Sequence, residues 1–187
     1  MAAPKVELRS VGSDDRDRLL RWRNSPEVAA YMFTDHPISP QEHDLWLSRV
    51  QGDATRAHWV IELDGEPVGL ANIYDLDRDG GSCGWGLYLA EPSVRGKGVG
   101  SMVTYLVIEK VFSDLGLGML WCEVLASNQR GRRLYQKFGF REESGMRHDV
   151  LKNGVPEAAI KLRLLAEEWA MKKAAMLDAP ATDGQVP

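Results

Sequence analysis

Glu91-Pro92-Ser93-Val94-Arg95-Gly96-Lys97-Gly98-Val99-Gly100-Ser101 is the stretch that decides how the rest of the chain is read. It follows an apolar strand ending near Leu89 and leads directly into a helical pattern. The opening N–H groups of a helix have no partner within it, and the helix dipole places partial positive charge at the same end. Gly96, Gly98 and Gly100 clear side chains from that backbone, while Arg95 and Lys97 add full positive charge. The chemistry predicted is pyrophosphate binding. A flexible basic turn capping a helix would use the same residues, but three alternating glycines are costly unless something must approach the backbone. A Walker loop is excluded, because Gly96-Lys97 is followed by Gly98 rather than Ser or Thr. A dinucleotide fingerprint fits badly, since Ser101 stands where Gly or Ala is required and the segment lies late in the chain.

Upstream of this segment, residues 6–11 alternate as a first strand, and Ser13-Asp14-Asp15 caps a helix carrying Leu19, Leu20 and Trp22. Asn24-Ser25-Pro26 breaks that helix and restarts the chain near Glu27. Ser39-Pro40-Gln41-Glu42 resembles a capping box and opens a helix through about Val50. Residues 58–63 and 67–74 pair as a hairpin turning at Asp64-Gly65; a second polar turn, 77–81, precedes a strand at 83–89. Downstream, a helix over 99–115 is apolar on more than one face and is stopped by Gly116 and Gly118. A strand at 120–125, a helix at 128–138 and a closing hairpin at 140–151 and 155–164 follow, turning at Lys152-Asn153-Gly154. Residues 166–177 form a last helix, and the polar 178–187 tail reads as disordered. The expected whole is one α/β domain over 1–177, with a mixed, mostly antiparallel sheet of about seven strands.

Composition bounds the function. The chain has 187 residues, 44% hydrophobic and 27% charged, as a folded domain with a real core requires. A net charge of -4 argues against general nucleic-acid binding. No apolar run approaches the roughly 20 residues of a membrane span, and the first residues lack an apolar signal core, so the expected location is cytoplasmic. Cys83 and Cys122 each sit in an apolar strand and read as buried, inert thiols. The histidines at 36, 43, 58 and 148 lack metal-ligand spacing, so no metal is expected.

Arg95, Gly98 and Gly100, after a strand and before a long helix, match the cofactor motif Gln/Arg-x-x-Gly-x-Gly/Ala of the GNAT acetyltransferase superfamily. Asn128, Tyr135, Lys137 and Gly139-Phe140 resemble that family's second motif, departing at Gly131, where alanine is usual. The resemblance covers about residues 6–164. It implies the GNAT fold, with splayed central strands at 83–89 and 120–125, and acetyl-CoA as co-substrate. Acetyl would pass directly to an amine, without an acyl-enzyme. Leu89 and Val94 would bond the pantetheine arm, with Asn128 on its other side. The pyrophosphate would lie on Arg95, Gly96, Lys97, Gly98, Val99, Gly100 and Ser101. Lys137 belongs to a basic cluster with Arg130, Arg132 and Arg133, which is either a solvated helix face or a contact for the 3′-phosphate. Tyr135 matches the general acid, although core packing would also account for it. Glu123 and His43 are candidate bases; a solvated strand carboxylate, or deprotonation through water, stays open.

Leu20-Arg21-Trp22-Arg23-Asn24-Ser25-Pro26, Met32-Phe33 and Ile38-Ser39-x-x-x-His43 are similar to the pseudaminic-acid-pathway acetyltransferases of flagellin glycosylation. These acetylate the 4-amino group of UDP-4-amino-4,6-dideoxy-N-acetyl-β-L-altrosamine. On that resemblance Arg23 would pair a phosphate, His43 would hydrogen-bond, and Met32 and Phe33 would pack on base or sugar. A surface ion pair for Arg23, and core positions for Met32 and Phe33, are the alternatives. Protein N-terminal or ribosomal-protein acetylation, a non-catalytic acyl-CoA sensor, and diamine or aminoglycoside acetylation stay open. A small-molecule acceptor is the expected partner, and a homodimer is left open.

Overall fold

The computed structural model describes residues 4–178. Seven strands form one sheet: β1 (Val6–Ser10), β2 (Ala57–Leu63), β3 (Glu66–Asp77), β4 (Ser82–Leu89), β5 (Met119–Leu125), β6 (Arg141–Lys152) and β7 (Val155–Leu165). Their order is β1-β2-β3-β4-β5-β7-β6, and every neighbour is antiparallel except β4 and β5. The expected mixed sheet and its splay are both present. The parallel pair holds register only at Ser82↔Met119, Cys83↔Leu120 and Gly84↔Trp121. Beyond Gly84 the two strands diverge, β4 staying on β3 as far as Leu89 and β5 staying on β7 as far as Leu125.

Helices cover both faces. α1 (Arg16–Arg23), α2 (Pro26–Ala29) and α3 (Pro40–Gly52) lie on one side, where Leu19, Trp22 and Val28 pack with Leu70 and Ala90. α4 (Val99–Glu109), α5 (Gln129–Lys137) and α6 (Ala166–Asp178) lie on the other, bringing Val103, Val107, Phe138 and Trp169 onto Trp59, Ile61 and Trp85. Alternate residues of β2 therefore serve opposite layers, and Trp59, Val60 and Ile61 are all buried.

Local details correct several sequence expectations. The helix expected over 99–115 keeps its α-helical ladder only to Glu109; residues 110–114 form a wider π turn, closed by Leu115 N–H to Lys110 O at 3.0 Å. Asp15 does not cap α1 by its own position. It reaches back to Gly12 N–H (2.9 Å) and is gripped by both terminal nitrogens of Arg9 and by Arg18. Ser39 caps α3 as expected, accepting Glu42 N–H at 3.2 Å, but the Glu42 carboxylate turns to His36 Nε2 (3.1 Å) instead of completing the box. Asp178, expected to begin a disordered tail, ends α6. The rest of that expected tail, 179–187, lies outside the described residues.

Candidate active site

The splay opens a cleft of about 1020 Å³, at the top of the size range for small-molecule and cofactor sites. β4 from Trp85 to Leu89, and Glu123 and Val124 of β5, form its inner walls, with the start of α4 at one end and α1–α3 at the other. Arg95, Gly96, Gly98, Val99, Gly100 and Ser101 line the α4 end. Gly96 and Gly98 have φ of +80° and +78°, a left-handed backbone that strains any residue with a Cβ, and open space surrounds both. The first bond onto the cap is Met102 N–H to Gly98 O (3.1 Å), so the N–H groups of Val99, Gly100 and Ser101 precede the ladder and have no helical acceptor.

Not every expected cofactor residue lies on the cleft. Lys97 is exposed and is not part of its wall, and Lys137 reaches Ser101 Oγ (3.3 Å) from outside it. Leu89 and Val94 do line it, although the Val94 N–H is used by Glu91 O and its carbonyl by Lys97 N–H, each at 3.3 Å. The basic cluster of α5 divides. Arg132 pairs with Glu142 at 2.7 Å, Arg133 is exposed, and Arg130 alone joins the cleft.

Asn128 and Tyr135 reach the cleft from α5. Asn128 Oδ1 caps its helix by accepting Gly131 N–H at 2.9 Å, which leaves its amide N–H₂ to donate elsewhere. A Cβ at position 131 would stand 2.9 Å from Asn128 Nδ2, so glycine there is tied to this side-chain position rather than a neutral change from alanine. Tyr135 is 7% exposed, and its ring meets Trp85 edge-on at 5.3 Å and Phe140 at 5.7 Å. Burial raises its pKa well above 10, which keeps the phenol protonated. Tyr135 therefore packs in the core while keeping a protonated phenol on the cleft. Trp85, 1% exposed, has an indole N–H without an acceptor among the described residues. That nitrogen is itself buried in the wall, so the groups that fit acetyl-CoA are the glycine cradle and the free helix N–H groups. Cys83 and Cys122 are buried and unbridged; burial pushes Cys83 up to about 12 and raises Cys122 as well, so neither is a thiolate near neutrality.

At the other end the structure brings Arg23, Met32, Phe33 and His43 to the same cleft as Glu123. Arg23 is half-buried, donates from Nη2 to Thr34 Oγ1 (2.8 Å), and makes no ion pair among the described residues. Burial lowers its pKa. The surface ion pair considered for it is absent. Met32 is half-buried against the α1 core, whereas Phe33 is 37% exposed and sits edge-on to His148, 6.1 Å away. His148 Nδ1 lies 3.5 Å from Glu123 Oε1. His43 is 3% exposed, stacks on Trp46 at 5.2 Å, and bonds Arg16 O through Nε2 (3.0 Å). That bond places the ring proton on Nε2 and leaves a lone pair at Nδ1, while burial lowers the His43 pKa.

Three contacts at this end lay beyond sequence reasoning. Asn24 clamps Ile38 in both directions, Nδ2–H to Ile38 O at 2.8 Å and Ile38 N–H to Oδ1 at 2.7 Å. Lys152, on the β6–β7 tip, donates to Ala29 O and Thr34 O at 3.2 and 3.1 Å. Asp35 in turn accepts Asn153 N–H at 2.7 Å and Gly154 N–H at 3.4 Å. His58, whose spacing suits no metal, is a buried imidazole on the cleft wall; a histidine leading the apolar run Trp59-Val60-Ile61 is the available signal.

A parallel strand pair parted over a cleft, with a glycine-rich helix start at one end and a phenol at its centre, defines an acyl-CoA-dependent transferase. Residues 5–141 match the acetyltransferase (GNAT) domain family, and the chain belongs to that family as an acetyl-CoA-dependent N-acetyltransferase. It is similar to the acetyltransferase PseH of Campylobacter jejuni, 27% identical over 130 residues, covering 70% of this chain and 79% of that protein. It is also similar to the spermidine N(1)-acetyltransferase of Escherichia coli, 24% identical over 169 residues and 90% of each chain. The crystal structure of spermidine N-acetyltransferase from Vibrio cholerae, in complex with CoA and spermine, shares the fold with a TM-score of 0.81 at 19% identity, covering 88% of this chain and 98% of that one. No described helix is long and apolar enough to cross a membrane, and no metal-binding cluster occurs among the described residues.

Proposed function

We propose that the chain transfers acetyl from acetyl-CoA to the 4-amino group of a UDP-linked 4-amino-4,6-dideoxy sugar. The observation that carries this reading is Arg23, a half-buried guanidinium on the acceptor end of the cleft without a carboxylate partner among the described residues. A partly buried cation without a counter-charge is costly, and an acceptor diphosphate offsets that cost with charge-assisted hydrogen bonds. The similarity to PseH and the Arg23-Asn24…Met32…Ile38-Ser39…His43 spacing point the same way.

Acetyl-CoA supplies a thioester open to attack by the amine. Glu123 accepts a proton from the acceptor ammonium, with His148 steadying the carboxylate at 3.5 Å. His43 presents its Nδ1 lone pair to the acceptor. The amine nitrogen forms its bond to the acetyl carbon, and the adduct nitrogen releases its second proton to solvent. As the C–S bond breaks, Tyr135 donates its phenolic proton to the departing thiolate. Its raised pKa keeps that proton available and favours its return from solvent after each turnover. Gly98 through Ser101, with Arg95, hold the pyrophosphate, and Met32 and Phe33 offer apolar surface to base or sugar.

A polyamine acceptor is the second reading. Glu27, Glu42 and Glu123 line the same cleft, and the spermidine enzyme of Escherichia coli matches 90% of this chain. Release of CoA thiol, measured with UDP-4-amino-4,6-dideoxy sugars, spermidine and N-terminal peptides, separates the candidates. Turnover of the UDP sugar at the highest kcat/KM is expected; turnover of spermidine alone would sink the sugar reading.

A further inference from the structure

We propose that His58 is an acceptor-recognition residue, hydrogen-bonding a hydroxyl or acetamido group of the molecule whose amine is acetylated. This rests on the nucleotide-sugar reading and narrows it. His58 on β2 is paired across the sheet with Asn72 on β3, which is paired in turn with Gly86 on β4. Residues directly opposite share a face, and all three line the cleft. The row therefore runs along the cleft floor to the splay. His58 is 7% exposed, and its buried Nδ1 has no hydrogen-bond partner among the described residues. Its ring is fixed edge-on to Trp46 at 5.2 Å, which itself stacks on His43. An oriented polar ring with an unpartnered nitrogen on a cleft floor is a recognition group awaiting its partner.

The chemistry selects the partner. Burial pushes the imidazole pKa down to about 4, so it is neutral near pH 7 and offers one donor and one acceptor without charge. Asn72 beside it is likewise neutral. The charges acting on the ring are Arg56 and Asp53, which pair with each other at 2.9 Å. Hydroxyl and amide groups, which both donate and accept, use both capacities of this floor; an ammonium group can only donate to it.

The test compares His58→Phe, which keeps the ring against Trp46, with His58→Asn, which restores hydrogen bonding. Acceptors are a UDP-4-amino sugar and analogues lacking the acetamido or a hydroxyl group. His58→Phe should raise acceptor KM about tenfold, the loss of one neutral hydrogen bond. The CoA Kd by calorimetry and the Tm should hold, and His58→Asn should recover part of the loss. On the analogue lacking the recognised group, wild type and His58→Phe should converge. An unchanged KM in His58→Phe, or an equal rise for every analogue, overturns the proposal. If wild type ignores UDP sugars but acetylates another hydroxyl- or amide-bearing amine, the nucleotide reading falls alone, and the same variants on that amine decide the role of His58. If it accepts only spermidine, both fall.

Discussion

The cofactor end of the cleft comes from one run of chain, from β4 through α4 and β5 to α5. The acceptor end is assembled from α1, α2, α3, a loop, β2 and β3, and a hairpin tip that arrives late in the sequence. At the first, backbone groups and glycines make the surface, and charge stays exposed or at the rim. At the second, polar side chains withdrawn from solvent make the surface: Arg23, His43 and His58. A site for one invariant ligand can be written into backbone geometry, whereas a site for a particular acceptor is written in side chains.

If that contrast holds, variants at the two ends should separate cleanly. Tyr135→Phe, where the ends meet, should lower kcat by about 10²-fold or more while leaving the CoA Kd within about twofold. Steady-state kinetics beside calorimetry reads both, and an unchanged kcat removes Tyr135 from the chemistry. The next largest effect is on stability. Folded His58 has a pKa of about 4 against an ordinary 6.5, so between those values the unfolded chain holds a proton that the folded chain refuses. Stability should be full above about pH 6.5, fall as pH drops, and level off below about 4, losing on the order of 3 kcal/mol from this group. Urea melts of wild type and His58→Phe across that window test it; parallel curves would show that the ring does not titrate this way.

Gly98→Val places a branched side chain at φ +78° and should weaken CoA binding about tenfold, with acceptor KM nearly constant. Equal loss at both ends would break the division. Arg23→Ala should do the converse, raising acceptor KM roughly tenfold and sparing CoA, as removal of one charged hydrogen-bonding group predicts. Lys152→Met is expected to act most mildly, raising acceptor KM by about threefold as the loop carrying Met32 and Phe33 loses two carbonyl contacts.

Legibility in the sequence followed the same division. The glycine segment could be read because it depends on neighbours a few residues away, a strand before and a helix after, whereas Asn128 and Tyr135 were candidates by the GNAT resemblance. The strand pairs could be read from turns and alternation, and the GNAT resemblance named the splay. The early end of α4's ladder could not, because its apolar residues cover several faces and do not reveal the step of the backbone bond. Arg23 and His43 were legible as candidates by resemblance. What they bond was not, since Thr34 and Arg16 are joined to them by packing rather than by pattern. Asn24 read as the end of a helix, and its grip on Ile38 appears only once α3 has folded back.

The Lys152 contacts carry a consequence for how the enzyme is made. Lys152 is 123 positions from Ala29 and 118 from Thr34, the longest reach among the side-chain ties at the cleft. A nascent chain leaves the ribosome N-terminus first, so the loop at 29–35 emerges with its fastening still untranslated. Every element of the cofactor cradle is synthesised before that fastening. The text of the cofactor cradle is therefore fully translated before the residue that ties down the loop facing it, although β5 gains its long partner β7 only afterwards.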